Sequence, residues 1–286
     1  MPTVDVDGVA IHYEVDQPDE AVVFVQGLGY GRWMWRWQRE AVREEFRTIV
    51  PDNRGTGRSD TPGIPRIVRR LPRKLRSPLI LKFFGYAIAE MAADLEAVLA
   101  DVGVRHVHLI GASMGGMIAQ EYAIEYDRAD SLTLFATTPG GEQAHPVPEE
   151  TQEQIFARPK GADEREIVRH RMRPAFSEDF YTRHPRLIDR IVEWRLEQDA
   201  DEVGRLAQAA AVLGFDAHDR LPRIDVPTLI MHGSDDRVVP VENAHLLSEA
   251  IPDSELVELE GGPHLFFIED DETVNDRLLE FLFEVR

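Results

Sequence analysis

Six short, largely apolar runs constrain the fold of this chain more than any other feature. They are AVVFVQ (21–26), TIVP (48–51), HVHLIG (106–111), SLTLFA (131–136), PTLIMHG (227–233) and ELVELEG (255–261). Runs this brief and this apolar are the mark of strands buried on both faces, as in a parallel sheet. Between them the pattern changes to helical periodicity. Residues 87–101 put Ile88, Met91, Ala92, Leu95, Val98 and Leu99 on one face, a helix-like run covers 35–45, and TVNDRLLEFLF (273–283) is a closing amphipathic helix. Ahead of all this, Val4, Val6, Ile11 and Tyr13 alternate around Asp7-Gly8, which reads as a β-hairpin. Strand and helix alternating after a hairpin predict an α/β architecture, a mostly parallel β-sheet flanked by helices.

Two stretches break the alternation. Residues 140–222 hold no convincing strand but several helical segments, among them DRIVEWRLEQ (189–198) and VGRLAQAAAVLG (203–214). Because this stretch lies between two sheet strands, it is expected to be a helical cap over the strand ends. The predicted layout is therefore a core over 1–139, a cap over 140–222 and the rest of the core over 223–286. The second interruption, 61–86, is a basic insertion within the first part of the core.

Composition narrows the chemistry. With 43% hydrophobic residues among 286, the chain can bury a substantial core. It has no cysteine, which excludes disulfides, thiolate metal sites and a cysteine nucleophile. Against 52 acidic residues stand 32 Lys and Arg, and the lysines are only Lys74, Lys82 and Lys160. A net charge of −20 repels nucleic acid. Such an acidic, lysine-poor balance resembles that of salt-adapted proteins, so salt is expected to stabilise the fold by screening carboxylate repulsion. The stretch MPTVDVDGVAIHYEVD is acidic and alternating, unlike a signal peptide, and no apolar run approaches the length of a membrane span. The expectation is a soluble cytoplasmic protein.

Chemistry concentrates at Gly111-Ala112-Ser113-Met114-Gly115-Gly116, a G-x-S-x-G pattern. The five letters alone are weak evidence, and a serine that merely caps a helix would satisfy them. Context favours more, since a buried strand runs directly into Ser113 and the helix MIAQEYAIEY follows at once. That is a strand–elbow–helix setting, which lifts a serine hydroxyl above the sheet edge beside a helix N-terminus. Such a hydroxyl needs a base. Among ten histidines, His264 sits in GGPH directly after a strand, on a turn that can hold it at the same sheet edge. His12, His106, His108 and His232 fall within strand runs, His245 lies on a helix face, and the others lie in the cap or its flanks. The base needs a carboxylate behind it, after a strand between Ser and His. PTLIMHGSDDRVVP offers Asp235 and Asp236, and spacing does not choose between them.

These residues together resemble the α/β-hydrolase superfamily, in its capped branch of cofactor-free haloperoxidases, enol-lactonases and anthracycline methylesterases. The resemblance covers nearly the whole chain apart from 61–86. The family pattern G-x-x-D-x-x-x-P fits Gly233, Asp236 and Pro240, so the resemblance implies Asp236 as the acid. The family's H-G-x-G oxyanion loop corresponds to Gln26-Gly27-Leu28-Gly29, followed by Trp35 in the usual place. It implies the backbone N–H groups of Leu28 and Met114 as oxyanion donors. Gln26 departs from the family histidine, which braces that loop, and its amide can donate and accept as the histidine does. The loop from Asp52 to Ser59 resembles D-x-R-G-x-G-x-S, which is structural in the family.

The implied activity is hydrolysis of a small-molecule ester or lactone through an acyl-enzyme on Ser113, without metal or organic cofactor. Carbon–carbon bond hydrolases, prolyl-type peptidases and acyltransferases keep the same three residues, and a non-catalytic ligand-binding protein is the contrast from another class. Trp194, Phe176, Phe180, Tyr181 and Arg173 are candidates to line the cap side of a pocket or to pack the cap itself. The insertion carries Arg66, Arg69, Arg70, Arg73, Lys74, Arg76 and Lys82, with no acidic residue between Asp60 and Glu90. Ile64, Ile67, Val68, Leu71 and Leu75 follow helical spacing there, and Pro65, Pro72 and Pro78 are expected to keep its helices short. It reads first as a charge-matched flap on the acidic surface, and second as a weak membrane-surface contact.

Overall fold

Every one of the apolar runs becomes a strand. The computed structural model describes residues 2–16 and 20–286. Strands β1 (Thr3–Val6), β2 (Val9–Val15), β3 (Ala21–Val25), β4 (Arg47–Pro51), β5 (Val107–Ala112), β6 (Ala129–Phe135), β7 (Thr228–Gly233) and β8 (Ser254–Leu259) form one sheet in the order β1-β2-β4-β3-β5-β6-β7-β8. β1 and β2 make the antiparallel hairpin, with Val6 opposite Val9 and positive φ at both Asp7 and Gly8. Two successive residues of that kind match the right-handed twist of the paired strands. β2 also pairs antiparallel with β4, and every pairing from β4 onward is parallel.

Helices cover both faces. They are α1 (Arg36–Val42), α2 (Arg66–Arg69), α3 (Arg73–Phe83), α4 (Ile88–Val102) and α5 (Met114–Glu125), then α6 (Glu149–Phe156), α7 (Glu164–Met172), α8 (Glu178–Arg183), α9 (Pro185–Gln198) and α10 (Glu202–Leu213), and finally α11 (Glu242–Ala250), α12 (Phe266–Glu269) and α13 (Asp271–Glu284). The strands β3 and β5 are apolar on both sides, and each side meets its own cluster. Val23, Val25 and Leu109 pack with α4 and α5, while Val22, Phe24 and Ile110 pack with Trp35, Phe267 and α13.

Strand order decides where a site can form. The chain leaves β3 toward β4 on one side, and β5 pairs with β3 on the other, so the sheet reverses direction of growth at β3. In parallel sheets the crevice beyond the strand ends at such a reversal is where ligands bind. Here Val25 lies opposite Gly111, which sets the loop after β3 against the elbow after β5.

Between β6 and β7 the chain runs through α6 to α10, with a single isolated bridge from Gly140 to Asp216 as its only extended pairing among the described residues. In the basic insertion Pro65 and Pro72 precede α2 and α3 as expected, but Pro78 does not end α3, which runs 11 residues. The donor that Pro78 lacks would serve Lys74, and both residues lie on the exposed side of the helix, where water reaches the carbonyl.

Candidate active site

Ser113 stands between β5 and α5 with φ 54° and ψ −120°, a left-handed backbone that a serine adopts at a cost. Its surroundings enforce the turn. Ser113 N–H donates to Phe135 O, while its own carbonyl accepts from the N–H groups of Gly116 and Met117 and from Thr137 Oγ1. Glycine is required at 115, because a Cβ there would lie 2.0 Å from Val25 O. The close approach that results brings the end of β3 against the start of α5. A Cβ at Gly27 would stand 3.4 Å from the Ser113 Cβ, so the 26–29 loop flanks the half-buried serine directly.

The N–H groups of Leu28 and Met114 have no acceptor among the described residues. Met114 follows Ser113 directly, and Leu28 follows Gly27, the residue that stands against the serine. The loop carrying Leu28 is held by bonds from elsewhere. Gly29 N–H donates to Gln208 Oε1 (2.7 Å), and Gln208 Nε2 donates to Arg54 O and Thr56 Oγ1, both at 2.8 Å. Asn53 Nδ2 donates to Gln26 O, and Ala200 N–H to Gly29 O. The brace expected of Gln26 is therefore supplied by others. Its own side chain is buried with neither polar atom hydrogen-bonded. Gln208 was not singled out from the sequence, though a lone polar residue on the buried side of AQAAAVL was its signal.

The Asp52–Ser59 loop is tied together as its motif implied. Ser59 Oγ donates to Asp52 O and accepts from His12 N–H, Arg58 N–H donates to Asp52 Oδ2, and Arg54 forks onto Asp94 at 2.7 and 2.8 Å. Through Asn53 and Gln208 this scaffold supports the loop beside Ser113.

His264 and Asp236 arrive from the ends of β8 and β7. The two loops are forced together at Gly233, where a Cβ would lie 2.1 Å from Gly262 O. Asp235 N–H donates to Gly262 O, Ser234 N–H to Leu259 O and Gly261 N–H to Ser234 Oγ. This brings His264 Nδ1 to 2.7 Å from Asp236 Oδ2, with both side chains buried. Asp236 Oδ1 accepts from Val238 N–H (2.7 Å) and Val239 N–H (2.9 Å). His232 Nε2, fully buried on β7, donates to Val239 O (2.9 Å) and stands 3.2 Å from Asp236 Oδ2. Burial by itself would raise the Asp236 carboxyl. The charge of His264 and the bonds from both imidazoles outweigh it and hold the group below the ordinary carboxylate range. Asp235 points outward and is exposed. His264 Nε2 and Ser113 Oγ make no hydrogen bond to one another, and in unliganded sites such bonds often close only around substrate.

Three other histidines are occupied elsewhere. His108 bonds Ser131 and Glu20, and His245 bonds Glu258. His106, expected within a strand, precedes β5 instead and pairs with Asp130 at the surface. The aromatic candidates of the cap are each engaged in packing. Phe176 stacks on Phe180 (5.7 Å), Trp194 on Trp33 (6.3 Å), and Arg173 pairs with Glu178 and lies over Tyr181. Among the described residues no group of three or more His, Asp or Glu side chains is placed to hold a metal ion, and no helix is long and apolar enough to cross a membrane.

Comparison with known proteins agrees with this fold. The chain is 29% identical to RutD of Azorhizobium caulinodans, provisionally named a carbamate hydrolase, across 100% of this chain and 99% of that one. A thermophilic esterase from Thermogutta terrifontis is 28% identical, with a TM-score of 0.77 over 99% of this chain and 98% of its own. Est816, described as an N-acyl homoserine lactone degrading enzyme, is 25% identical, with a TM-score of 0.78 over 98% of this chain and 100% of its own. The family model for the alpha/beta hydrolase fold matches residues 20–271, and the chain belongs to that family of hydrolases.

Proposed function

We propose that this protein hydrolyses a carboxylic ester or lactone through an acyl-enzyme on Ser113, beneath a helical cap made by α6 to α10. One observation carries the reading. A strained, half-buried serine is flanked by two acceptor-free amides, Leu28 and Met114, at the same sheet edge where a buried imidazole–carboxylate pair emerges. In this reading Ser113 Oγ attacks the carbonyl carbon while His264 Nε2 takes its proton. The carbonyl oxygen gathers charge against the Leu28 and Met114 N–H groups, each such donor being worth about 3 kcal/mol of barrier. The imidazolium then gives the proton to the departing alkoxide, which in a lactone is the ring oxygen and becomes a hydroxyl still tethered to the acyl chain. Water, deprotonated by the same imidazole, attacks the acyl-serine and releases the acid. Asp236 fixes the proton of His264 on Nδ1 and stabilises the imidazolium.

The esterase and the lactone-degrading enzyme among the similar structures support this reaction class. The name of RutD adds carbamates to the substrates worth trying. The test is a panel of short alkyl esters, lactones and carbamates against wild type and Ser113→Ala. Turnover of at least one ester or lactone is expected, falling on the order of 10⁶-fold in the variant. Ester turnover in Ser113→Ala near the wild-type rate rejects the mechanism.

A further inference from the structure

The basic insertion has two unlike sides. Its inner side is anchored to the protein. Ile64, Val68 and Ile80 are buried, Leu79 and Phe84 pack against the core, and Tyr86 N–H donates to Ala207 O of α10. Arg73 and Arg76 both pair with Glu202 at the start of α10, at 2.7 and 2.6 Å, and Arg69 donates to Thr61 O. Arg73 and Arg76 are thus matched by a carboxylate, as a charge-matched flap requires, while Arg69 meets only a backbone carbonyl.

The outer side does not fit that description. Arg66, Arg70, Lys74 and Lys82 are exposed, and none has a carboxylate partner among the described residues. Among them stand Ile67 (75% exposed), Leu75 (58%), Leu81 (37%) and Phe83 (64%). Leu213, 77% exposed, lies one turn beyond Ala210, which touches Gly85 at the end of α3. Isolated exposed leucines are ordinary, but apolar side chains interleaved with unpaired cations on one short helical hairpin are not.

From this face we infer an interfacial docking surface for an anionic lipid bilayer, made by the outer sides of α2 and α3. Its apolar residues enter the headgroup region and its cations meet lipid phosphates. Charge favours that occupant over a second copy of the chain. A symmetric dimer sets the same patch against itself, bringing two sets of four unpaired cations together. Net charge does not oppose the assignment. The segment contributes +7 of the −20 total, leaving −27 on the remainder, but at physiological ionic strength charges beyond about 8 Å are largely screened. The patch thus meets the bilayer while the acidic remainder faces water. The inference is independent of the reaction proposed for Ser113.

Co-sedimentation of the full chain with phosphatidylcholine vesicles, with and without phosphatidylglycerol, tests it at physiological ionic strength. Pelleting is expected only with the anionic vesicles and should fall as salt is raised. Each near-surface cation is worth about five-fold in partitioning, so Arg66→Gln, Arg70→Gln, Lys74→Gln and Lys82→Gln together should weaken binding at least about 100-fold. Ile67→Ser with Phe83→Ser should also weaken it, with thermal melts of all variants unchanged because the substituted side chains are exposed. Absence of pelleting with anionic vesicles overturns the inference, as does pelleting that survives both sets of substitutions. A dimer in solution that Ile67→Ser with Phe83→Ser dissociates, without vesicle binding, assigns the face to a second copy instead.

Discussion

Two neighbouring carboxylates end β7 in opposite environments. Asp236 is enclosed by His264, His232 and two backbone amides, while Asp235 faces solvent. Asp236→Asn should therefore cripple turnover, since the asparagine favours the wrong imidazole tautomer, an effect of about 10⁴ in kcat in a serine protease. Asp235→Asn should be mild, and the reverse ranking contradicts the placement of the acid. A stability signature accompanies it. A carboxyl whose folded pKa is depressed stabilises the fold fully above its unfolded value near 3.9 and loses that contribution as pH falls below it. The stability difference between wild type and Asp236→Asn should thus narrow by about 1 kcal/mol from pH 5 to pH 3. Equal differences at both pH values would argue against a depressed Asp236. The places of Ser113 and His264 at the sheet edge were legible in the sequence because strand, turn and glycine context is local. Spacing did not choose between Asp235 and Asp236, because adjacent residues share that context and only tertiary contacts separate them; the family resemblance alone pointed to Asp236.

The elements were largely legible, and the departures have physical causes. The central strands β3, β5 and β7 declared themselves because both faces are buried, leaving no polar alternation to confuse the pattern. Pro78 misled because a proline inside a helix removes one hydrogen bond without having to end it, and on the exposed side of α3 water can reach the open Lys74 carbonyl. The least legible link is the one between elements, from α10 to the loop after β3. Gln208 looked like one residue among alanines, yet it holds the Gly29 N–H, the Arg54 carbonyl and the Thr56 hydroxyl at once. Gln208→Leu should leave a buried Gly29 N–H without its acceptor, lowering stability by about 1–3 kcal/mol. It should also loosen the Leu28 amide, so kcat is expected to fall more than KM changes. Loss of stability with kcat intact would make Gln208 a packing residue only.

At the scale of the whole molecule, the charge excess is distributed unevenly. Many arginines are committed to ion pairs, among them Arg54–Asp94, Arg195–Asp199, Arg128–Glu96 and Arg220–Glu121, and a net −20 still remains. Repulsion among the surplus carboxylates acts over the surface and is screened by salt, whereas the buried pairs are screened far less. Melting temperature should therefore rise with KCl, and a melt that does not move up to about 2 M would contradict a salt-adapted surface. Composition made this expectation readable without any structure. Composition does not say which cations stay unpaired, and that depends on the packing of α3 against α10.

The central claim is that Ser113 is an activated nucleophile, and covalent labelling with a fluorophosphonate probe followed by peptide mass mapping tests it most directly. The account predicts one adduct, on the peptide bearing Ser113, absent in Ser113→Ala and formed far more slowly in His264→Ala. An unlabelled wild-type protein, or equal labelling of Ser113→Ala, would contradict it.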